Sequence, residues 1–407
     1  MTNIVVAEGA SAFMNPRAAD RGAAYGAARS AILNADGFDH AEAAIGDWPD
    51  YRETPLLALP ALAGRLGLGA LAYKDESGRF GLGSFKALGG AYAVYRLIAR
   101  AIAARHGISP PRPAEILGGR YRNEVGGMTV TCATDGNHGR SVAWGAQLFG
   151  CRCVIYIHAT VSEGRRAAIA RYGADVVRVP GNYDDSVRHA AAEAERNGWT
   201  VVSDTTYESY RDIPIDVMHG YGVMAREVLR QMPEPPTHVL VQAGVGALAA
   251  SVCAAFWLAW GPARPRFTVV EPVNAACLYQ SGLAGHPVAV PGDLDTVMAG
   301  LACGEVSPVA WEILSAGADA FATVDDAFAL EGMRVFADPS GGDPAIVSGE
   351  TGASGLALLL ATADSEPIRE VLGLDGGSRV LLIGSEGDTD PAIYRQVVGR
   401  SADELRQ

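Results

Sequence analysis

His238-Val239-Leu240-Val241-Gln242-Ala243-Gly244-Val245-Gly246-Ala247-Leu248-Ala249 opens an apolar stretch that runs on to Trp260. Its length alone would suit a membrane span. Gln242, Gly244 and Gly246 interrupt it, and it reads better as a strand, a glycine turn and a buried helix. The same alternation recurs outward in both directions. Strand-length apolar runs occupy residues 70–74, 128–133, 153–158, 176–179, 200–203, 267–270 and 379–383. Each but the last precedes a helical pattern, which predicts an α/β fold of parallel strands with covering helices. Pro-rich joints at 109–113 and 232–237 read as loops. The first 50 and last ten residues carry weaker patterns.

A chain of 407 residues is too long for one simple core and suggests about two domains. Apolar residues make up 49% and charged residues 19%, a globular balance. The net charge of −13 repels nucleic-acid phosphates and anionic lipid, and no basic stripe offsets it. Neither nucleic acid nor membrane is therefore expected as a partner. Residues 1–8 lack a basic start and a long apolar run, so no signal peptide is read and a cytoplasmic location is expected. Cys132, Cys151, Cys153, Cys253, Cys277 and Cys303 form no CxxC pair and no Cys/His zinc spacing. They read as mostly buried thiols. No HExxH motif or EF-hand loop occurs, so no metal is expected.

Three segments carry chemistry. In the first, a strand ending Tyr73-Lys74-Asp75-Glu76 leads into Ser77-Gly78-Arg79-Phe80-Gly81-Leu82-Gly83, and Ser84 is placed to cap a helix beginning Phe85-Lys86-Ala87. Lys86 then lies in the first turn, where a cation opposes the helix dipole. Two readings stay open. Lys86 is a solvated lysine tolerating a small penalty, or its amine is held as an imine by an aldehyde cofactor, a role that burial favours by freeing the nucleophilic amine.

The second segment is Thr134-Asp135-Gly136-Asn137-His138-Gly139, between a strand and a helix. Backbone N–H groups at such a turn suit a carboxylate, Asn137 suits a phenolate oxygen, and Asp135 is a fixed acid or base at the loop mouth. An ordinary turn favours the same residues. The third is Gly244-Val245-Gly246-Ala247-Leu248, whose helix start suits a phosphate. It equally fits a dinucleotide fingerprint, because Glu271 ends the next strand about 20 residues on, where a ribose-binding acid belongs.

Taken together and in order, Ser84-Phe85-Lys86, Asp135-Gly136-Asn137-His138-Gly139 and Gly244-Val245-Gly246-Ala247-Leu248 resemble the fold-type II pyridoxal-phosphate enzymes, the tryptophan synthase β family. The likeness continues in Glu271-Pro272, Gly349-Glu350-Thr351-Gly352 and Gly384-Ser385-Glu386-Gly387-Asp388-Thr389-Asp390, and covers nearly all of the chain from about Pro55. Arg79-Phe80-Gly81-Leu82-Gly83-Ser84-Phe85-Lys86, Ser203-Asp204-Thr205 and Met298-Ala299-Gly300-Leu301 are similar, more narrowly, to the diaminopropionate ammonia-lyases. Gly83-Ser84 stands where that group often has Asn-Ala, a mild departure.

The resemblance implies an α/β, fold-type II enzyme that binds pyridoxal 5'-phosphate. It implies a large cofactor domain over 1–90 and 203–407, a small mobile domain over 91–202, a small amino-acid substrate and a homodimer. Lys86 would be the Schiff-base lysine. Asn137 would face the ring hydroxyl, Gly244, Val245, Gly246, Ala247 and Leu248 the phosphate, and Ser385 the pyridine nitrogen. Thr134, Asp135, Gly136 and His138 would line the substrate, with Asp135 as base for its D isomer and Asp204 for the L isomer. Cys277 and Cys303 match positions that can lie close together. The implied reaction is α,β-elimination of 2,3-diaminopropionate to pyruvate and ammonia. A β-amine leaves only when protonated, and two aspartates suit an ammonium better than serine, which related dehydratases usually carry at position 135. The alternatives are a serine/threonine dehydratase or β-replacement synthase on the same scaffold, a non-catalytic cofactor-binding protein, and an NAD oxidoreductase.

Overall fold

The structure is a computed structural model that describes residues 2–134, 136–206, 210–232 and 234–406. Its strands are β1 (Val5–Ala7), β2 (Ala10–Met14), β3 (Leu56–Ala58), β4 (Ala70–Asp75), β5 (Thr129–Ala133), β6 (Arg152–Ile157), β7 (Asp175–Arg178), β8 (Thr200–Val201), β9 (His238–Gln242), β10 (Arg266–Pro272), β11 (Ala320–Val324) and β12 (Arg379–Gly384). The chain divides into two compact units. The larger comprises Met1–Ala35, Glu53–Gly83 and Met224–Gln407, and the smaller Asp36–Arg52 and Ser84–Val223.

The smaller unit has a four-stranded sheet in the order β7-β6-β5-β8, all parallel. Helix α1 (Lys86–His106) lies against α2 (Asn137–Phe149). The approach is close because two crossing residues are glycine. A Cβ on Gly90 would stand 1.8 Å from Ser141 Oγ, and one on Gly145 would stand 2.6 Å from Ala91 Cα. α1 is one helix from Lys86, and its first turns pack on α2. A further helix, α3 (Asp212–Gln231), contributes its first half to the smaller unit and its second half to the larger.

The larger unit has an eight-stranded sheet in the order β1-β2-β11-β10-β9-β12-β4-β3. Its centre, β11-β10-β9-β12-β4, is parallel, and β2 and β3 flank it antiparallel. The segment 238–260 forms β9, a turn, and α4 (Ala247–Trp260), whose residues 247–257 are all buried. A helix that is apolar all round and lies within a domain packs as core. Among the described residues, no helix is long and apolar enough to cross a membrane. Leu240 of β9, Val270 of β10 and Leu382 of β12 join Leu356 and Leu358 in one buried apolar cluster.

Two expectations differ from what is observed. Ser84 does not cap α1: the residue before the helix is Phe85, which makes no side-chain capping bond, and Ser84 is buried. The sequence reading also omits β11 and the β1–β2 hairpin. The β11 run Ala320-Phe321-Ala322-Thr323-Val324 carries three strand-favouring residues, Phe321, Thr323 and Val324, diluted by two alanines, so a strand signal was present there. The hairpin turns on Gly9 at φ 74, with β1 only three residues long.

Candidate active site

In open α/β sheets, ligand groups collect where parallel strands end at their carboxyl side. In the smaller unit those ends carry the loops after β5 and β8. Lys86 is the first helical residue of α1, so its first-turn position is as expected. Its Nζ lies 2.5 Å from Asp204 Oδ2, and 5.5 and 5.7 Å from the ring centres of Phe85 and Tyr221. Burial alone would raise the Asp204 carboxyl pKa. The Lys86 ammonium and the His138 ring override that and hold it well below the usual carboxylate range. The loop carrying Asp204 is pinned by Tyr210, whose hydroxyl donates to the Val201 carbonyl at 2.9 Å and accepts from the Ser203 N–H at 2.9 Å.

The loop after β5 is shaped by Thr134. Its buried hydroxyl accepts the N–H groups of Gly136 and Gly139, each at 3.1 Å. Two of the loop's backbone donors are therefore spent on holding the turn. Asn137 opens α2, directly after Gly136. His138 is buried, and its Nε2 donates to the Val202 carbonyl at 2.7 Å, which leaves Nδ1 toward Asp204 Oδ2 at 3.6 Å. His138 thus helps set the Asp204 loop. Asp135 lies outside the described residues.

In the larger unit, the turn after β9 brings Gly246 to φ 98, and no side chain caps α4. Val245 is fixed by its carbonyl, which accepts from the Ser307 N–H at 2.9 Å. An uncapped helix start of this kind is a site for an anion. Beside it, at the end of β12, Ser385 is buried and accepts a hydrogen bond from Gln242 Nε2 at 2.7 Å. Tyr73 packs where a Cβ on Gly384 would stand, 2.1 Å from its ring, and donates to Ser348 Oγ at 2.9 Å. Lys86, Asp204, Asn137 and His138 thus belong to one unit, and Gly244, Val245, Gly246, Ala247, Leu248 and Ser385 to the other. Sequence reasoning missed Tyr221, Tyr210 and Gln242. Only Gln242 left a signal, as an amide ending an apolar strand.

Glu271 is not free for a ribose. It is fully buried, and its two oxygens accept the Leu278 and Tyr279 N–H groups at 2.9 and 2.6 Å, which caps helix α5 (Cys277–Ala284). That geometry weighs against the dinucleotide reading. No disulfide joins Cys277 and Cys303. Cys277 donates to the Gly244 carbonyl at 3.5 Å, and burial pushes its pKa up. Burial also pushes the Glu271 carboxyl up to about 8, against the pull of its two N–H donors. The folded state therefore binds this proton more tightly than the unfolded chain, where glutamate titrates near about 4.3. The contribution to stability is full below about pH 4 and lost as pH rises through about 8. Glu271→Gln, neutral at every pH, is expected to flatten that decline in urea midpoints measured across the window.

The pyridoxal-phosphate dependent enzyme family matches residues 48–384. Diaminopropionate ammonia-lyase of Escherichia coli (strain K12) is 44% identical over 356 residues, covering 86% of this chain and 87% of that protein. The crystal structure of the holo form of diaminopropionate ammonia lyase from Escherichia coli superposes with a TM-score of 0.87 at 39% identity, covering 96% of each chain. The same protein in complex with D-serine superposes with a TM-score of 0.86 at 38% identity, covering 98% and 99%. The chain belongs to the pyridoxal-phosphate dependent enzymes, in their diaminopropionate ammonia-lyase branch.

Proposed function

We propose that this chain converts 2,3-diaminopropionate and water to pyruvate and two ammonia, with Lys86 as the cofactor lysine and Asp135 and Asp204 as bases for the D and L isomers. The observation that carries the reading is the 2.5 Å contact between Lys86 Nζ and Asp204 Oδ2, an amine and a carboxylate paired at the mouth of a parallel sheet. Pyridoxal phosphate, when bound, supplies the electron sink that lets Cα lose its proton and Cβ its amine.

The residues present suit that group. The uncapped start of α4, reached through Gly244, Val245, Gly246, Ala247 and Leu248, matches a phosphate. The primary amine of Lys86 matches an aldehyde. The Ser385 hydroxyl, already accepting from Gln242, retains a proton for a ring nitrogen. Asn137 is assigned to the ring hydroxyl, and the Thr134 hydroxyl, which accepts two N–H groups and still has its proton to give, to the substrate's carboxylate, while Gly136 and His138 shape the loop around it. Asp204 stays ionised while the Lys86 ammonium faces it. Once that amine is engaged elsewhere, burial raises the carboxyl's proton affinity and makes it a competent base. The same negative charge attracts the β-ammonium that must leave. Aspartate at position 135, where hydroxyamino-acid dehydratases usually carry serine, weighs against a serine or threonine dehydratase. A homodimer in the cytoplasm completes the proposal, and light scattering of the purified protein tests the dimer.

Steady-state assays with each enantiomer test the two-base assignment. Asp204→Asn is expected to lose activity toward L-diaminopropionate by about a hundredfold and keep most of its D activity; Asp135→Asn is expected to do the reverse. Equal loss toward both enantiomers in either variant would refute it.

A further inference from the structure

We propose that Gln242 is a positioning residue that sets the direction of the Ser385 hydrogen bond, so that Ser385 gives its proton to the cofactor's pyridine nitrogen and keeps that nitrogen unprotonated. The inference rests on the reading that Ser385 lies beside the ring nitrogen.

The argument starts from a carbonyl. Ile383 O lies 2.8 Å from one end of the Gln242 amide, and a carbonyl only accepts, so that end is the NH2 group. The same nitrogen lies 2.7 Å from Ser385 Oγ, and its second proton goes there. Both side chains are 1% exposed, so water does not compete. The β9–β12 pairing supports the geometry: Leu240 lies opposite Leu382, and Gln242 and Ser385 follow two and three residues beyond that pair. Ser385 Oγ therefore has one lone pair filled, and among the described residues its own proton has no acceptor. A buried hydroxyl proton without an acceptor is costly. An unprotonated pyridine nitrogen is a lone pair that satisfies it. A protonated one would compete for the remaining lone pair of Ser385 and leave the hydroxyl proton stranded. Gln242 thus decides on which atom the shared proton sits. It does so without needing contact with the cofactor. A ring nitrogen that only accepts a hydrogen bond withdraws electrons less strongly than a pyridinium, which disfavours a long-lived charge at Cα and favours prompt departure of the β-substituent.

The test uses holoenzyme loaded with cofactor labelled with 15N in the ring. The 15N shift of wild type is expected in the unprotonated, hydrogen-bonded range. Gln242→Glu removes the fixed donor: its carboxylate only accepts and takes the Ser385 proton. The 15N signal should then move toward the pyridinium range. Gln242→Met, close in size and without polar hydrogens, should displace it in the same direction by less, and it serves if the glutamate variant does not fold. Ser385→Ala should displace it in any case. A protonated nitrogen in wild type overturns the proposal. So does an unchanged shift in both Gln242 variants when Ser385→Ala moves it, and then the placement of Ser385 survives. An unchanged shift in Ser385→Ala overturns that placement, and the proposal with it.

Discussion

Lys86→Ala is expected to abolish the visible absorbance of the loaded enzyme and to lower kcat by about ten-thousand-fold, because it removes the amine proposed as the covalent anchor. The loss should be chemical and not structural. Alanine is the best helix former, and the position is the first residue of α1, so the helix and its glycine-mediated packing on α2 persist. A second signature comes from Asp204. In wild-type apoprotein the Lys86 ammonium is the first of the groups holding the Asp204 carboxyl down against burial. A depressed carboxyl contributes stability that is present above its unfolded pKa of about 3.9 and lost as pH falls through the lower folded value. Removing Lys86 removes that contribution. Urea midpoints of the apo variant should therefore fall below wild type near neutral pH, and the two should converge in acid. Retention of the absorbance band in Lys86→Ala would move the anchor to another amine and overturn the assignment.

The acid partner of Lys86 shows where sequence reading stops. Lys86 and Asp204 are 118 residues apart, and Gln242 and Ser385 are 143 apart. No periodicity links either pair, because the contacts join distant elements that the sheets bring together. Local patterns did better where one segment contained its own evidence. His238–Gln242 begins and ends where its alternation with glycine and helix placed it, and α4 follows at once. Lys86 was legible as a first-turn cation, although the cap assigned to Ser84 was not formed. The roles of Asp135, Asn137 and Ser385 came from likeness to a family, since turn chemistry alone favours the same residue types. Glu271 shows the opposite case. A strand-end acid at the right spacing looked like a ribose ligand, and in the fold it caps α5 from a fully buried position.

Arg79→Met is expected to cost the larger unit about 3–5 kcal/mol, read as a lower urea midpoint, because it breaks a balanced set of buried charges. Lys74, Glu76, Arg79 and Glu227 are each no more than 1% exposed. Arg79 meets Glu227 through two bonds of 2.8 Å and Glu76 through two more of 2.8 Å, while Lys74 Nζ lies 2.7 Å from Glu227. Two cations and two anions cancel, and the Thr54 carbonyl accepts from Lys74 at 2.7 Å. Burial would raise the Glu227 carboxyl, but Arg79 and Lys74 hold it well below the usual range. Methionine keeps the volume of Arg79 and leaves one negative charge uncompensated. The double variant Arg79→Met with Glu76→Gln restores neutrality and should recover part of the loss. A simple sum of the two single effects would show that charge balance is not what matters. The consequence should reach catalysis too. Arg79 roots the segment before Lys86: its carbonyl accepts the Leu82 N–H at 2.9 Å, and Phe80, Gly81 and Gly83 follow at φ 50, 69 and 77. A non-glycine residue held at positive φ costs about 1–3 kcal/mol and persists only where its surroundings impose it. With the guanidinium gone, that imposition weakens, and the folded fraction of Arg79→Met should bind cofactor less tightly than wild type.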